Sequence, residues 1–366
     1  MAAKSQAVLS TLRWNLKQGE GGKAFLLEVD VNFSDSYDCS IPIQPEAQAI
    51  AKDQKVSKQP QAFCLPCASV DPVRLGSWVG SVAEGSSVNT DLLCFCAHGS
   101  GTHSECIGHI TRERISIQQI GWRPDFLPAL LVSVRPVRFR DCCKEESYSS
   151  KSKPDDWVLS RANIIKAIEA CTSGLRWWAK DGCVHALLVR TIPPFLDDSE
   201  DDITVVPKDA TARRSHCWSN TNPPYFTKEA ADFIASMNSL RTLAVDLPSV
   251  DREDDGGALI VHRAIFSHPS DDGKSKGTQK QDTIEEGGGS TNAQLETSSL
   301  EKELLQGMGC PQRRLITESC SFPSPKKMKD GFCCLSLQLA PIENTDAVPS
   351  RPLLYRAVEM RATSGM

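Results

Sequence analysis

The sequence predicts an α/β domain built on a sheet that is at least partly parallel. Three apolar runs carry this expectation: ALLVSVR at 129–135, CVHALLVRT at 183–191 and TLAVD at 242–246. Each has the length of a buried strand and little of the alternation that a strand with one wet face shows. Two segments with helical spacing separate them. A strand, helix, strand, helix, strand order implies crossover connections, and crossovers join parallel strands.

The elements follow in chain order. Residues 1–20 contain two lysines, one arginine and no acid before Glu20, and read as an N-terminal extension. They lack the apolar block of a secretory signal, so the expected location is the cytoplasm, with a mitochondrial presequence as the alternative. Residues 21–366 form the domain. AFLLEVDV (24–31) and DLLCFCA (91–97) are short strand-like pieces separated by turns. In SRANIIKAIEAC (160–171), Ser160 suits an N-cap, and Ile164, Ile165 and Ile168 share a helical face. TKEAADFIASMNSLR (227–241) repeats the pattern, with Thr227 as cap and Ala230, Phe233, Ile234, Met237 and Leu240 on one side. From 267 to 312 the chain turns polar, with a triple glycine, and is expected to be a disordered insertion that cannot offset its ordering entropy. Ordered sequence resumes at RRLITESCSF and GFCCLSLQLAPI.

Composition excludes some classes. A hydrophobic share of 40% supports a sizeable core, and a net charge of −5 argues against a nucleic-acid partner. No apolar run approaches bilayer length, so no membrane span is expected. The 15 cysteines, without a secretory signal, are expected to be free thiols. CLPC at Cys64–Cys67 is half of a zinc spacing, and no second pair of the usual kind completes it.

The stretch HGSGTHSECIGH, residues 98–109, holds three of the chain's seven histidines and a carboxylate. The glycines at 99 and 101 would turn the chain and bring His103 beside a strand formed by DLLCFCA. If the chain is extended there, His103 and Glu105 share a face and suit a divalent cation such as Zn²⁺ or Mn²⁺. A loop that merely contains histidines is the alternative. His109 lies one turn further on, placed as a ligand or proton carrier. Asp246, Ser249 and Asp251 follow the third strand, where open α/β sheets place their sites. His262 sits in the apolar ALIVHRAIF, and Glu318 in LITES.

Several ordered segments resemble the cyclase family of metal-dependent hydrolases, which includes bacterial kynurenine formamidase and isatin hydrolase. They are GTHSECIGH, CSIPI near residue 40, NPPYFTKEAADFI, LAVDLPSVDRE, HRAIF, ITES, KDGFCCLSLQLAPI and DAVPSRPLLY. The resemblance implies one swivelling β/β/α domain, usually a homo-oligomer, with a site for one or two metals. It implies hydrolysis of an amide bond, in an N-formyl arylamine such as N-formylkynurenine (an arylformamidase activity of tryptophan catabolism) or in a cyclic amide. The implied ligands are His103, Glu105, His262 and Glu318, with His109 as the catalytic histidine. Trp78, Trp122 or Phe226 are candidates for an aryl pocket.

Three departures stand out. The family's acidic residue is usually aspartate; Glu105 adds a methylene, enough to move an ion by on the order of 1 Å against a ligand tolerance of about 0.2 Å. The family's first histidine falls on Gly99 here, and His98, one step back, would need a bulge to reach the ion. The insertion separates His262 from Glu318. A catalytically impaired protein that binds a small molecule or another protein is therefore the alternative function. No G-x-S-x-G elbow supports a serine hydrolase.

Overall fold

The three apolar runs form neighbouring parallel strands at the centre of a closed sheet. The computed structural model describes residues 9–17, 24–47, 52, 58–123, 125–172, 183–193, 215–267 and 310–364. In chain order the first strands are β1 (Leu9–Lys17), β2 (Ala24–Asp38), β3 (Ser69–Pro72), β4 (Arg74–Leu75), β5 (Trp78–Val79) and β6 (Asp91–Cys94). They continue as β7 (His103–Glu105), β8 (Phe126–Val134), β9 (Val137–Arg138), β10 (Trp157–Leu159) and β11 (Ala186–Thr191). The last are β12 (Tyr225–Phe226), β13 (Thr242–Val245), β14 (Leu315–Glu318), β15 (Gly331–Leu339) and β16 (Ala347–Ser364). Among the described residues the α-helices are α1 (Ala97–Ser100), α2 (Arg161–Cys171), α3 (Lys228–Ala235) and α4 (Ile260–Ile265).

The order β16-β15-β8-β11-β13-β14-β7 closes on itself because β7 pairs with both β14 and β16. The result is a seven-stranded barrel, with β2 and then β1 continuing the sheet beyond β16. β8, β11, β13 and β14 are parallel to one another, and the remaining pairs are antiparallel. Every residue of β11 and β13 is buried, as continuous apolar strands between covered faces should be. Their side chains join those of α2, α3 and α4 in the main core.

Both expected caps form. Ser160 Oγ accepts from Asn163 N, and Thr227 Oγ1 accepts from Ala230 N. α3 is shorter than its apolar spacing predicts. Ser236, Asn238 and Ser239 propagate a helix poorly, and the Met237 and Leu240 carbonyls are taken instead by the buried guanidinium of Arg314. Leu9–Lys17, within the segment read as an extension, pair along β2. Most of the insertion, 268–309, lies outside the described residues, and Pro311–Arg313 form a single 3₁₀ turn before β14.

One expectation is corrected. DLLCFCA does not form a strand beside His103: among the described residues β6 pairs with β3 alone, in a separate two-stranded ribbon, with all four of its residues exposed. The neighbours of His103 come from the chain's other end. All 15 cysteines are free thiols, six of them buried. No helix among the described residues is long and apolar enough to cross a membrane.

Candidate metal centre

β7 is three residues long, and its register decides the site. His103 lies opposite Glu318 of β14 and Pro349 of β16, and Glu105 opposite Ile316 and Ala347. With a period of two, His103 and Glu105 point to one side, and Ser104 to the other, where its hydroxyl meets Thr317 Oγ1 at 2.8 Å. All three are fully buried. The turn before β7 is held tightly. A Cβ on Gly101 would lie 2.7 Å from the Ile41 carbonyl oxygen, so only glycine fits. Thr102 Oγ1 donates to the Ser319 carbonyl and accepts from Ile41 N at 2.7 Å.

His103 Nδ1 lies 3.1 Å from the Gly101 carbonyl. A carbonyl only accepts, so Nδ1 carries the proton and Nε2 presents its lone pair, the form in which imidazole binds metals. That Nε2 lies 3.4 Å from Glu318 Oε2. Glu318 Oε1 is anchored by Val250 N at 2.9 Å.

His98 reaches the cluster without the expected bulge. The four residues of α1 close one helical turn over the extra position, which sets His98 Nδ1 3.1 Å from Glu105 Oε2. Its Nε2 is 3.1 Å from Asp346 Oδ2, which also lies 3.1 Å from His109 Nδ1. The other face of His109 turns inward, with Nε2 3.9 Å from Glu105 Oε2. Burial pushes the His98 pKa down, but the bond to Asp346 and the charge of Glu105 outweigh it and hold the group up at about 10. The bonds from His109 and His98 keep Asp346 ionised far below the usual carboxylate range.

His262 comes from α4. Its Nδ1 is 2.5 Å from Asp251 Oδ2, and its Nε2 contacts Glu105 Oε1 and lies 3.9 Å from Glu318 Oε1. Asp251 also accepts from the backbone amides of Val261 and His262, and from Tyr148 Oη at 2.6 Å. One carboxylate thus both starts α4 and orients its histidine. Burial opposes charge on His262 and on Glu105, yet each is held in its charged form by the other's neighbourhood.

All five candidate ligands and His109 therefore converge, although His98 to Glu318 span most of the chain. Asp246 does not join them: both its oxygens accept from Thr191 N, tying β13 to β11. The sequence reading missed Asp346 and Tyr148. Asp346 opens the DAVPSRPLLY segment, which was the only signal for it; Tyr148 sits in a charged loop that offered none. Of the aromatic candidates, Phe226 is wholly buried in the core, Trp78 stands on the exposed β4–β5 hairpin, and Trp122 lies under Arg241.

The donor set fits a divalent cation. His98, His103 and Glu105 each place one donor atom within 4.8 Å of the others, and so do Glu105, His109 and His262. Ligands on opposite sides of a first-row ion, at about 2.1 Å each, are about 4.2 Å apart. Two buried ligand atoms at the centre, His103 Nε2 and Glu105 Oε2, have only charged neighbours, Glu318 Oε2 at 3.4 Å and His98 Nδ1 at 3.1 Å, and make no well-aligned hydrogen bond. Buried polar atoms so poorly satisfied are costly, and an ion is the partner this chemistry suits.

Among solved structures, an isatin hydrolase bound to the product analogue thioisatinate is 14% identical, with a TM-score of 0.45 over 88% of this chain and 92% of its own. A potential metal-dependent hydrolase with cyclase activity is 11% identical, with a TM-score of 0.45 over 87% of this chain and 96% of its own. Isatin hydrolase A from Ralstonia solanacearum is 11% identical, with a TM-score of 0.44 over 87% and 91%. No curated protein matches the sequence. The family model described as "Putative cyclase" matches residues 37–252, more than half of the chain and all of the His98–His109 stretch, so this chain belongs to the cyclase family.

Proposed function

We propose that the protein is a metal-dependent hydrolase that cleaves an amide bond, in an N-formyl arylamine such as N-formylkynurenine or in a cyclic amide. One observation carries this reading: the buried ligand atoms His103 Nε2 and Glu105 Oε2, which make no well-aligned hydrogen bond within a cluster of imidazoles and carboxylates. His98, His103, Glu105 and His262 would hold the ion, Zn²⁺ or Mn²⁺, and Glu318 extends the set toward a second position. When bound, such an ion lowers the pKa of water and polarises a carbonyl oxygen.

The chain's own residues supply the rest. Asp251 fixes the His262 ring, so its Nε2 stays aimed at Glu105. Asp346 takes the Nδ1 side of His109 and leaves Nε2 to move a proton, delivering it to the leaving nitrogen. His109 is 29% exposed, on the same open side as His98 and Asp346, while Glu105 and His262 behind it are buried, so His109 can meet a substrate.

Elemental analysis of the purified protein, beside His103→Ala and Glu105→Ala variants assayed for N-formylkynurenine hydrolysis, tests the proposal. Stoichiometric metal and activity in the parent, both lost in the variants, are expected. A parent that takes up neither Zn²⁺ nor Mn²⁺ would overturn the reading. The paired contact of Glu105 with His262 favours the second reading, a family member that has lost efficient catalysis and binds a ligand instead. Such a protein would bind its ligand equally well after chelation.

A further inference from the structure

At the amino ends of β13 and β14 lies a second concave site. Its volume is about 520 Å³, and its lining includes Trp122, Arg123, Arg241, Arg313 and Arg314. The candidate metal centre is at the other end of the same strands, beyond Val245 and at Glu318. Four residues of strand at about 3.3 Å each separate the two, roughly 10–13 Å.

Four arginines line this cavity, and among the described residues no acid does. The chain as a whole carries a net charge of −5, so this is a local concentration of positive charge against the global balance. Asp125, more than half exposed, lies 3.6 Å from Arg241 Nη1. Arg241 lies over the Trp122 ring at 4.9 Å. Arg314 is spoken for by three carbonyls, those of Leu240, Ile265 and Met237, and contributes only its charge. Ile120 and Leu240 supply apolar wall.

We propose that this cavity binds a small organic anion, a carboxylate or phosphate carried on an apolar, ring-sized body. A concave surface lined by one sign of charge focuses potential and concentrates the opposite ion. Guanidinium is weakly hydrated and forks onto both carboxylate and phosphate. A lone phosphate would leave most of the volume empty, whereas a ligand of drug or nucleotide size suits pockets of about 300–1,000 Å³. Burial and then the Arg241 charge push His185 down to about 4, and burial, only partly offset by Asp125, lowers Arg241, with Arg123 adding to the effect.

Isothermal titration of the full chain at low salt tests this, with adenosine monophosphate, benzoate and inorganic phosphate as separate probes. We expect one equivalent of the nucleotide or of benzoate to bind, the stronger of the two identifying the head group. Inorganic phosphate should bind at least tenfold more weakly. The Arg123→Ala/Arg313→Ala double variant should lose at least tenfold in affinity with its metal content unchanged. Arg123→Glu, at an exposed position, is the second variant if the double one folds poorly, and it should lose at least as much. No binding by either organic probe, or equal binding by the variants, overturns the proposal. So does phosphate binding as tightly as the nucleotide, which would mean an adventitious ion only.

Discussion

Asp251 Oδ2 lies 2.5 Å from His262 Nδ1, and the same carboxylate accepts the amides of Val261 and His262. The residue that begins α4 therefore also sets which nitrogen of His262 faces Glu105. Carboxylates that orient a ligating imidazole typically change metal affinity by about 10–100-fold when mutated. Asp251→Asn should lose affinity on this scale and also unfold at lower temperature, because its contacts to the amides weaken. Competition against a chromogenic chelator reads the first effect. Unchanged affinity would show that the ring is held by packing alone.

Glu105 stands where the resemblance implies an aspartate, and its longer side chain reaches both ways: Oε1 meets His262 while Oε2 lies toward His98 and His109. Glu105→Asp should withdraw the carboxylate from His262, leave both partners buried and imperfectly paired, and weaken metal binding. Calorimetry with and without Zn²⁺ measures this. Metal at about 100 times its dissociation constant adds about 2.7 kcal/mol of stability, so the gain on adding metal should be smaller in the variant. An equal or larger gain would mean that the site has room for the shorter side chain.

Asp346 bridges His98 Nε2 and His109 Nδ1, both at 3.1 Å. If His109 moves a proton, His109→Gln should keep its metal and lose about 10²–10⁴-fold in kcat. Asp346→Asn should act in the same direction but more weakly, about ten- to hundredfold, since His109 remains and its orientation loosens together with that of His98. Metal lost together with activity in His109→Gln would instead make His109 a ligand.

How far the sequence revealed this arrangement depends on the range of the interactions involved. β8, α2, β11, the start of α3 and β13 were legible because caps and apolar periodicity act within a few residues. The position of β7 was not, because its partners β14 and β16 lie more than two hundred residues away and three residues carry no periodicity. His98 looked misplaced because spacing was counted along an extended chain, and one turn of α1 absorbs the extra residue. Tyr148 acts from a loop where neither period nor motif marks it, and Asp346 was marked only by its place at the head of DAVPSRPLLY. The arginine cavity escaped because Arg123, Arg241 and Arg313 are unremarkable singly, and Arg241 and Arg313 meet only through the pairing of β13 with β14.

The homo-oligomer expected from the resemblance has a physical test. Among the described residues, Leu75, Trp78, Val82, Val88, Leu92, Leu93 and Phe95 are most of the large exposed apolar ones, and all fall between 75 and 95, in and around the β4–β5 and β3–β6 ribbons. A concentration of this kind is unusual on a monomer. Light scattering on the wild type and on Leu92→Asp/Leu93→Asp should show an assembly that the double substitution weakens. A monomeric wild type at micromolar concentration would remove the expectation.

His185 offers a pH prediction away from the metal centre. Burial, and then the Arg241 charge, depress it from 6.5 to about 4. The folded protein therefore keeps His185 neutral over a range where the unfolded chain protonates it. The contribution is fully present above about pH 6.5 and is lost as pH falls through about 4, amounting to roughly 3 kcal/mol at one unit per 1.36 kcal/mol. His185→Gln has no such group to protonate. The difference in unfolding free energy between wild type and variant should thus change across pH 6.5 to 4, against the wild type on the acid side, and stay flat above pH 7. An anion in the neighbouring arginine cavity should shrink that difference by neutralising Arg241. A wild-type and variant pair whose stabilities run parallel from pH 7 to 4 would mean that His185 gains its proton in the folded state as readily as in water.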